Sequence, residues 1–305
     1  MTQRRIAVAL FGPAGRGSFN ESGLAGWQRA RDAGHDAAVH WIEPPDVPGR
    51  TQSLRALCAQ GLDLLVAHGG QGDAPVAALS AEFPDMRFAI TQGHWMAPNT
   101  ACYEVLQEQS AFLAGVLAGL ATRTGVVGHL SGEKVRPGLK GRAAFAHGVR
   151  SVAPACRFVT TFCGHQHDPA LAYRAALALQ REGADLVFAM IDGGRDGITQ
   201  ACRETPMRQI GNVLDWVARD PQVFAASAIA DSGQGIERAI ADFVDGTLRP
   251  GTLTRTGLEA PQAVRLVMAP ALQQAHGAEI DLWSQRLQSG ALAPDETYDG
   301  PELQA

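Results

Sequence analysis

The feature that most constrains how this chain folds is a repeated unit: a short apolar run, a glycine-bearing loop, then a helical stretch. Ile6–Phe11 leads into Gly12-Pro-Ala-Gly-Arg-Gly-Ser-Phe-Asn20 and a helix through Leu24, Trp27 and Ala30. Residues 37–41 make a second short strand. Residues 62–67 form a third that ends in His68-Gly69-Gly70, followed by a helix over 74–83 and a strand over 87–91. Such alternation predicts parallel sheets with helices on both faces. The unbroken apolar runs at 64–67 and 187–189 suit strands buried on both sides.

A nearly all-apolar stretch, 111–121, is long enough for a buried helix and closes at Thr124-Gly125. The pattern then restarts. Strands are expected at 126–130, 157–162, 186–190, 209–214 and 263–268, and helices at 139–149, 169–180, 232–243 and 279–287. At 305 residues the chain exceeds the roughly 250–300 at which a single core stops growing, so two Rossmann-like lobes are expected. The expected division places 1–122 and about 251–305 in the first lobe, the last strand and helix crossing back, and 123–250 in the second. In wound sheets ligands sit beyond the carboxyl ends of the strands, which points to a cleft between the lobes.

Composition narrows the function. With 19% charged residues, a formal charge of -5 and no block of like charge, nucleic acid is excluded as a partner. No window approaches a membrane span. The first apolar run is strand-length and enters a Gly/Pro turn, so it reads as strand one, and no export address is expected. The five cysteines, at 58, 102, 156, 163 and 202, show no CxxC or Cys/His spacing and read as small buried hydrophobes.

Motifs for chemistry fail one by one. Gly12, Gly15 and Gly17 lack the GxGxxG spacing, and Gly125, Gly128 and Gly132 lack the Lys-Ser/Thr of a phosphate loop, so no cofactor is expected. His165-Gln-His167-Asp168 resembles a metal cluster, but Asp168-Pro169 reads more simply as a helix cap, and no metal is expected. No serine sits in a GxSxG elbow. Glu104 and Glu108 are expected on a solvated face. No catalytic constellation remains, which argues for binding without turnover.

Residues 98–115, Pro-Asn-Thr-Ala-Cys-Tyr-Glu-Val-Leu-Gln-Glu-Gln-Ser-Ala-Phe-Leu-Ala-Gly, resemble the most recognisable segment of the basic membrane protein (BMP) family, substrate-binding components of ABC importers that include purine nucleoside receptors. Gly17-Ser-Phe-Asn20, Thr124-Gly-Val-Val-Gly128 with Gly132, Gly148 through Pro154, Gly183-Ala-Asp-Leu-Val-Phe188, Gly211-Asn-Val-Leu-Asp215 and Leu287-Gln-Ser-Gly290 with Pro294 are similar to further family segments in the same order. The resemblance spans essentially the whole chain. It implies a periplasmic-binding-protein-like fold of type I with a three-strand hinge, a small-molecule ligand, a partner ABC permease, and a periplasmic or lipid-anchored setting. It also implies a solute of nucleoside type, its base between aromatic rings and its ribose on carboxylate and amide groups.

Carried over residue by residue, Phe19 stands for a stacking ring, Asn20 for a polar partner and Asp215 for a strand-end carboxylate. Departures are as informative. Arg16 and Gly17 occupy the stretch where an Asp is expected, Gln92 replaces an Asp, His165-Gln166 replaces a Ser-Phe pair, and Ala230 replaces a Lys. Arg16 favours an anionic group by bidentate pairing. Trp95 and Trp216, each just past a strand end, either replace the lost rings or pack as half-buried lids. With Gly70, Asp192 and Gly193 at two further strand ends, these residues form the expected ligand-binding set. Two alternatives stand beside import: a cytosolic sensor or regulator of the same fold, and an enzyme acting on a nucleoside-like substrate through His165, His167, Asp168, Asp192 and Arg195.

Overall fold

The computed structural model describes residues 4–14 and 18–303. It divides into two compact units, 1–105 with 231–256, and 106–230 with 257–305, so the chain passes between units at three places. The first unit opens with β1 (Ile6–Phe11), α1 (Ser18–Asp32), β2 (Ala38–Ile42), α2 (Val47–Cys58), β3 (Leu64–His68), α3 (Asp73–Glu82), β4 (Arg87–Thr91) and β5 (Thr100–Val105). The second holds α4 (Gln107–Ala121), β6 (Val126–Ser131), α5 (Arg136–Val152), β7 (Arg157–Phe162), α6 (Pro169–Arg181), β8 (Leu186–Met190), α7 (Arg195–Glu204), β9 (Arg208–Val213) and β10 (Phe224–Ala230). The chain then returns to the first unit with α8 (Gly233–Val244) and β11 (Leu253–Thr256), and ends in the second with β12 (Val264–Met268) and α9 (Pro270–Gln288).

The first sheet runs β11-β5-β4-β3-β1-β2, every pair parallel. Strand alternation gives each face its own core. Ala7, Ala9, Phe11, Leu65 and Ala67 pack with Leu54 of α2 and Val76 and Leu79 of α3. Ile6, Val8, Leu10, Leu64 and Val66 pack with Ile236, Ala239 and Ile240, which is why α8 belongs to this unit although the chain reaches it late. The α1 and α8 backbones meet directly: a Cβ on Gly26 would stand 2.1 Å from the Gly233 carbonyl oxygen, and one on Gly233 would stand 2.0 Å from that of Ser22.

The second sheet runs β12-β10-β9-β8-β6-β7, parallel except that β12 is antiparallel to β10. Helices α4 and α5 are pressed together at glycine, a Cβ on Gly115 standing 2.1 Å from the Phe145 carbonyl oxygen and one on Gly148 standing 2.1 Å from that of Phe112. Asp185, at the start of β8, takes the Thr122 hydroxyl at 2.7 Å and the Arg123 amide at 2.6 Å, clamping the loop that follows α4. Beyond α9 the chain lies on α5 and β7. Tyr298 packs edge-on against Phe158, Glu302 pairs with Arg142 and Lys134, and the Leu303 amide reaches the Thr160 carbonyl at 2.8 Å.

Three expectations change. The last strand and helix lie in the second unit, because β12 pairs along the open side of β10 and α9 packs on α4. The divisions fall at 105/106, 230/231 and 256/257, where 122/123 and 250/251 were expected. Glu104 and Glu108 are buried, Glu104 against Arg255 at 3.2 Å and Glu108 against Lys140 at 2.9 Å. Each carboxylate meets a cation from a later element, so neither needs water.

Candidate ligand-binding site

In the first unit the strand order places the topological switch between β1 and β3, where crevices form at carboxyl ends. Phe19 lies there in the first turn of α1, half-buried, its ring stacked on His68 with centroids 4.3 Å apart at 19°. His68, the last residue of β3, is fully buried, and burial pushes its pKa down to about 4. Its Nε2 meets the Phe19 carbonyl at 3.1 Å and its Nδ1 the Thr91 hydroxyl at 2.8 Å. Asn20, in contrast, is spent on the fold, its Nδ2 donating to the Phe11 carbonyl at 2.8 Å.

Gln92 follows β4 with a φ of 54°. Its amide pairs at both ends with the backbone of Val105, Nε2 donating to the carbonyl at 3.0 Å and Oε1 accepting the N–H at 2.5 Å. Gly70 adjoins it across the turn that continues β3, a Cβ there standing 3.4 Å from the Gln92 carbonyl oxygen. The loop carrying Trp95 is fixed by Asp73 at the head of α3. Its carboxylate accepts the His94 and Trp95 amides, both at 3.0 Å, and pairs with the His94 ring at 2.8 Å. Trp95 itself is 41% exposed. Phe19, Gly70, Gln92 and Trp95 thus share one end of one sheet, while Arg16 lies outside the described residues.

The second unit repeats the arrangement. His165, Gln166, Asp192 and Gly193 gather past β7 and β8. The Gly194 amide bonds the Gln166 carbonyl at 2.9 Å, the Gly193 amide lies 3.4 Å from His167 Nδ1, and Gln166 lies over Gly132, which follows β6. Asp168 caps α6, accepting the Ala170 and Leu171 amides at 2.8 and 3.0 Å, and the Leu171 bond is the main cause of its lowered pKa. Among the described residues no group of three or more His, Cys, Asp or Glu is placed to hold a metal ion, and no helix is long and apolar enough to cross a membrane.

Past β9, Asp215 accepts the Ala218 amide at 3.0 Å. Trp216 folds back over Gly211, stacks on Phe224 with centroids 5.5 Å apart, and has the Arg195 guanidinium 4.5 Å from its ring. That is the packing role. Arg195, named above among the residues of the enzyme alternative, is buried, holding the Ala189 and Ile191 carbonyls and the side chains of Gln209 and Asn212.

Two non-glycine residues among those described have positive φ, Gln92 at 54° and Val213 at 68°. They occupy corresponding places, at the carboxyl end of the fourth strand of each sheet's first five. Val213 is the centre of a γ-turn closed by the Leu214 amide to the Asn212 carbonyl at 2.8 Å. For a β-branched residue this backbone is strained, and the buried Arg195 and Trp216 hold it by binding both oxygens of Asn212. Sequence reading missed His68, Asp73 and Arg195 as organisers of these loops. The one available signal was their place on the carboxyl side of the strands: His68 ends β3, while Asp73 and Arg195 open the helices that follow β3 and β8.

The comparisons with known proteins agree with the fold. A solute-binding protein of an ABC transporter system from Aeropyrum pernix superposes with a TM-score of 0.83 at 20% identity, covering 97% of this chain and 94% of that one. The transcriptional activator protein Med of Bacillus subtilis is 24% identical over 63% of this chain and 60% of its own length. A purine-binding protein of Brucella abortus is 25% identical over 64% of this chain and 55% of its own length. The chain therefore spans only about three-fifths of those two relatives in the matched region. Residues 4–288 match the family described as Bmp, ABC transporter substrate-binding protein PnrA-like, and the chain belongs to that family.

Proposed function

We propose that this protein binds a small solute with a flat polar ring, of nucleoside or nucleobase type, at its strand-end loops and delivers it to an ABC permease without chemical change. The observation that carries this is the pairing of Gln92 and Val213, strained backbone held at equivalent strand ends in both units. Phe19, half-buried on a ring-backed platform, supplies stacking area, and the loops of Gly70, His165, Gln166, Asp192, Gly193 and Asp215 supply polar groups. With Asn20 and Gln92 engaged by backbone, fewer contacts remain in the first unit for a ribose, which favours the base as the recognised part.

Native mass spectrometry of the freshly purified protein tests this. The expected outcome is a co-purified small molecule recovered unaltered. A thermal-shift panel of adenosine, adenine and an aromatic carboxylate should raise the melting point for at least one member, since a ligand of the folded state alone must stabilise it. No response to any of the three refutes the reading, and release of free base from adenosine would promote the enzymatic alternative.

A second reading rests on the relative named as a transcriptional activator. The same solute would then set the activity of a regulatory partner. A deletion strain separates the two: lost solute uptake supports import, and altered transcription with normal uptake supports regulation.

A further inference from the structure

We infer that His68 is a positioning residue of the solute site, fixing the Phe19 ring in the orientation in which it stacks on the solute. This rests on the reading of Phe19 as a ligand contact. His68 sits at the switch point, opposite Leu10 of β1 on one side and Thr91 of β4 on the other. The Phe19 carbonyl can only accept, so the proton resides on His68 Nε2. Nδ1 is therefore the acceptor, and the Thr91 hydroxyl donates to it. That hydroxyl oxygen in turn accepts the Gly69 amide at 3.2 Å. One directed chain, from Gly69 through Thr91 and His68 to Phe19, ties β3, β4 and the first turn of α1 together.

Packing adds to the hydrogen bonds. A Cβ on Gly23 would stand 2.6 Å from the His68 ring, so α1 rests on the imidazole at its glycine. A Cβ on Gly69, whose φ is 109°, would stand 3.1 Å from Phe19 Cε1, so the Gly69 backbone lies beside that ring atom while the imidazole backs one face of the ring. A position that only filled space would be served by an apolar side chain at no cost of burying polar nitrogens. A neutral imidazole with both nitrogens matched instead specifies one arrangement. Stacking loses affinity when the ring must first be ordered, so a pre-set Phe19 binds more tightly than a mobile one.

The test uses adenosine and adenine as probes, with ribose as a control lacking a ring. Calorimetric affinities are measured for wild type, His68→Leu, His68→Gln and Thr91→Val. In parallel, 4-fluorophenylalanine labelling gives a 19F line for Phe19, assigned with Phe19→Leu. His68→Leu should weaken binding of the ring probes by about tenfold, the scale of ordering one aromatic side chain, and broaden the unliganded Phe19 line. His68→Gln retains a donor for the Phe19 carbonyl and should recover most of the loss. Thr91→Val, which removes the hydroxyl donor, should fall between them and serves if His68→Leu does not fold. Wild-type binding with unchanged affinity and an unchanged Phe19 line in all three variants overturns the inference alone. Failure of the wild type to bind either ring probe removes the functional reading and this inference together.

Discussion

Replacing Lys140 by methionine removes the cation against which Glu108 is buried. The two side chains are each 8% exposed and 2.9 Å apart, and Lys140 also meets Glu296 at 3.0 Å on the surface side. Breaking a buried pair from one side strands the other charge, at a cost of about 3–5 kcal/mol. The exposed Glu296 contact adds less than about 1 kcal/mol. For a cooperative unit of this size, 1 kcal/mol moves the melting point by about 2–4 °C. Lys140→Met should therefore lower it by about 6–20 °C. The double variant Glu108→Leu with Lys140→Met replaces both charges by apolar groups of similar volume and should return to within about 1 kcal/mol of wild type. Scanning calorimetry of wild type, Glu108→Leu, Lys140→Met and the double variant gives the coupling directly. A Lys140→Met protein within about 0.5 kcal/mol of wild type, or a double variant costing the sum of the singles, would refute the argument.

Other expectations follow from the same geometry. Gly115→Ala forces a methyl group onto the Phe145 carbonyl; overpacking should outweigh the gain in helix propensity and cost about 1–3 kcal/mol, and a raised melting point would contradict the close contact of α4 and α5. Asp185→Ala strands the Arg123 amide and the Thr122 hydroxyl and should cost about 2 kcal/mol, read from the urea midpoint at unchanged slope. Acid should destabilise through His68 and His129, both buried, with pKa values lowered by burial from 6.5 to about 4 and about 3. Their folded values lie below the unfolded one, so the unfolded chain binds protons first: stability is complete above pH 6.5 and falls as pH drops, by up to about 1.4 kcal/mol per pH unit per histidine. A urea midpoint that stays flat between pH 6.5 and 5 would contradict this.

The parallel units with strong apolar runs were legible in the sequence, because strands buried on both faces leave continuous hydrophobic stretches. Elements without that signature were not. α2 begins with Asp46 capping the Gly49 amide and with Pro48 in its first turn, and the surrounding Pro44, Pro45 and Gly49 read as breakers. β10, Phe-Ala-Ala-Ser-Ala-Ile-Ala, has one β-branched residue, and β5 carries Glu104 within it. The burial of Glu104 depends on Arg255 of β11, a partner no local pattern announces. At the site, motif order located the loops, but which polar groups remain for a ligand depends on hydrogen bonding. Asn20 and Gln92 have residue types that fit recognition, yet both are engaged by backbone carbonyls and amides.

The three crossings also bear on how the molecule is made. The first sheet lacks its outer strand β11 and its covering helix α8 until residues 231–256 leave the ribosome, by which time β6 to β10 have already been synthesised. The second sheet in turn waits for β12. Neither half can finish as a free-standing amino-terminal piece, in contrast to chains whose domains mature one after another during translation. The nascent Ile6, Val8 and Leu10 face stays uncovered by α8 for most of synthesis, so the open flank of this sheet is where a chaperone has the longest opportunity to act.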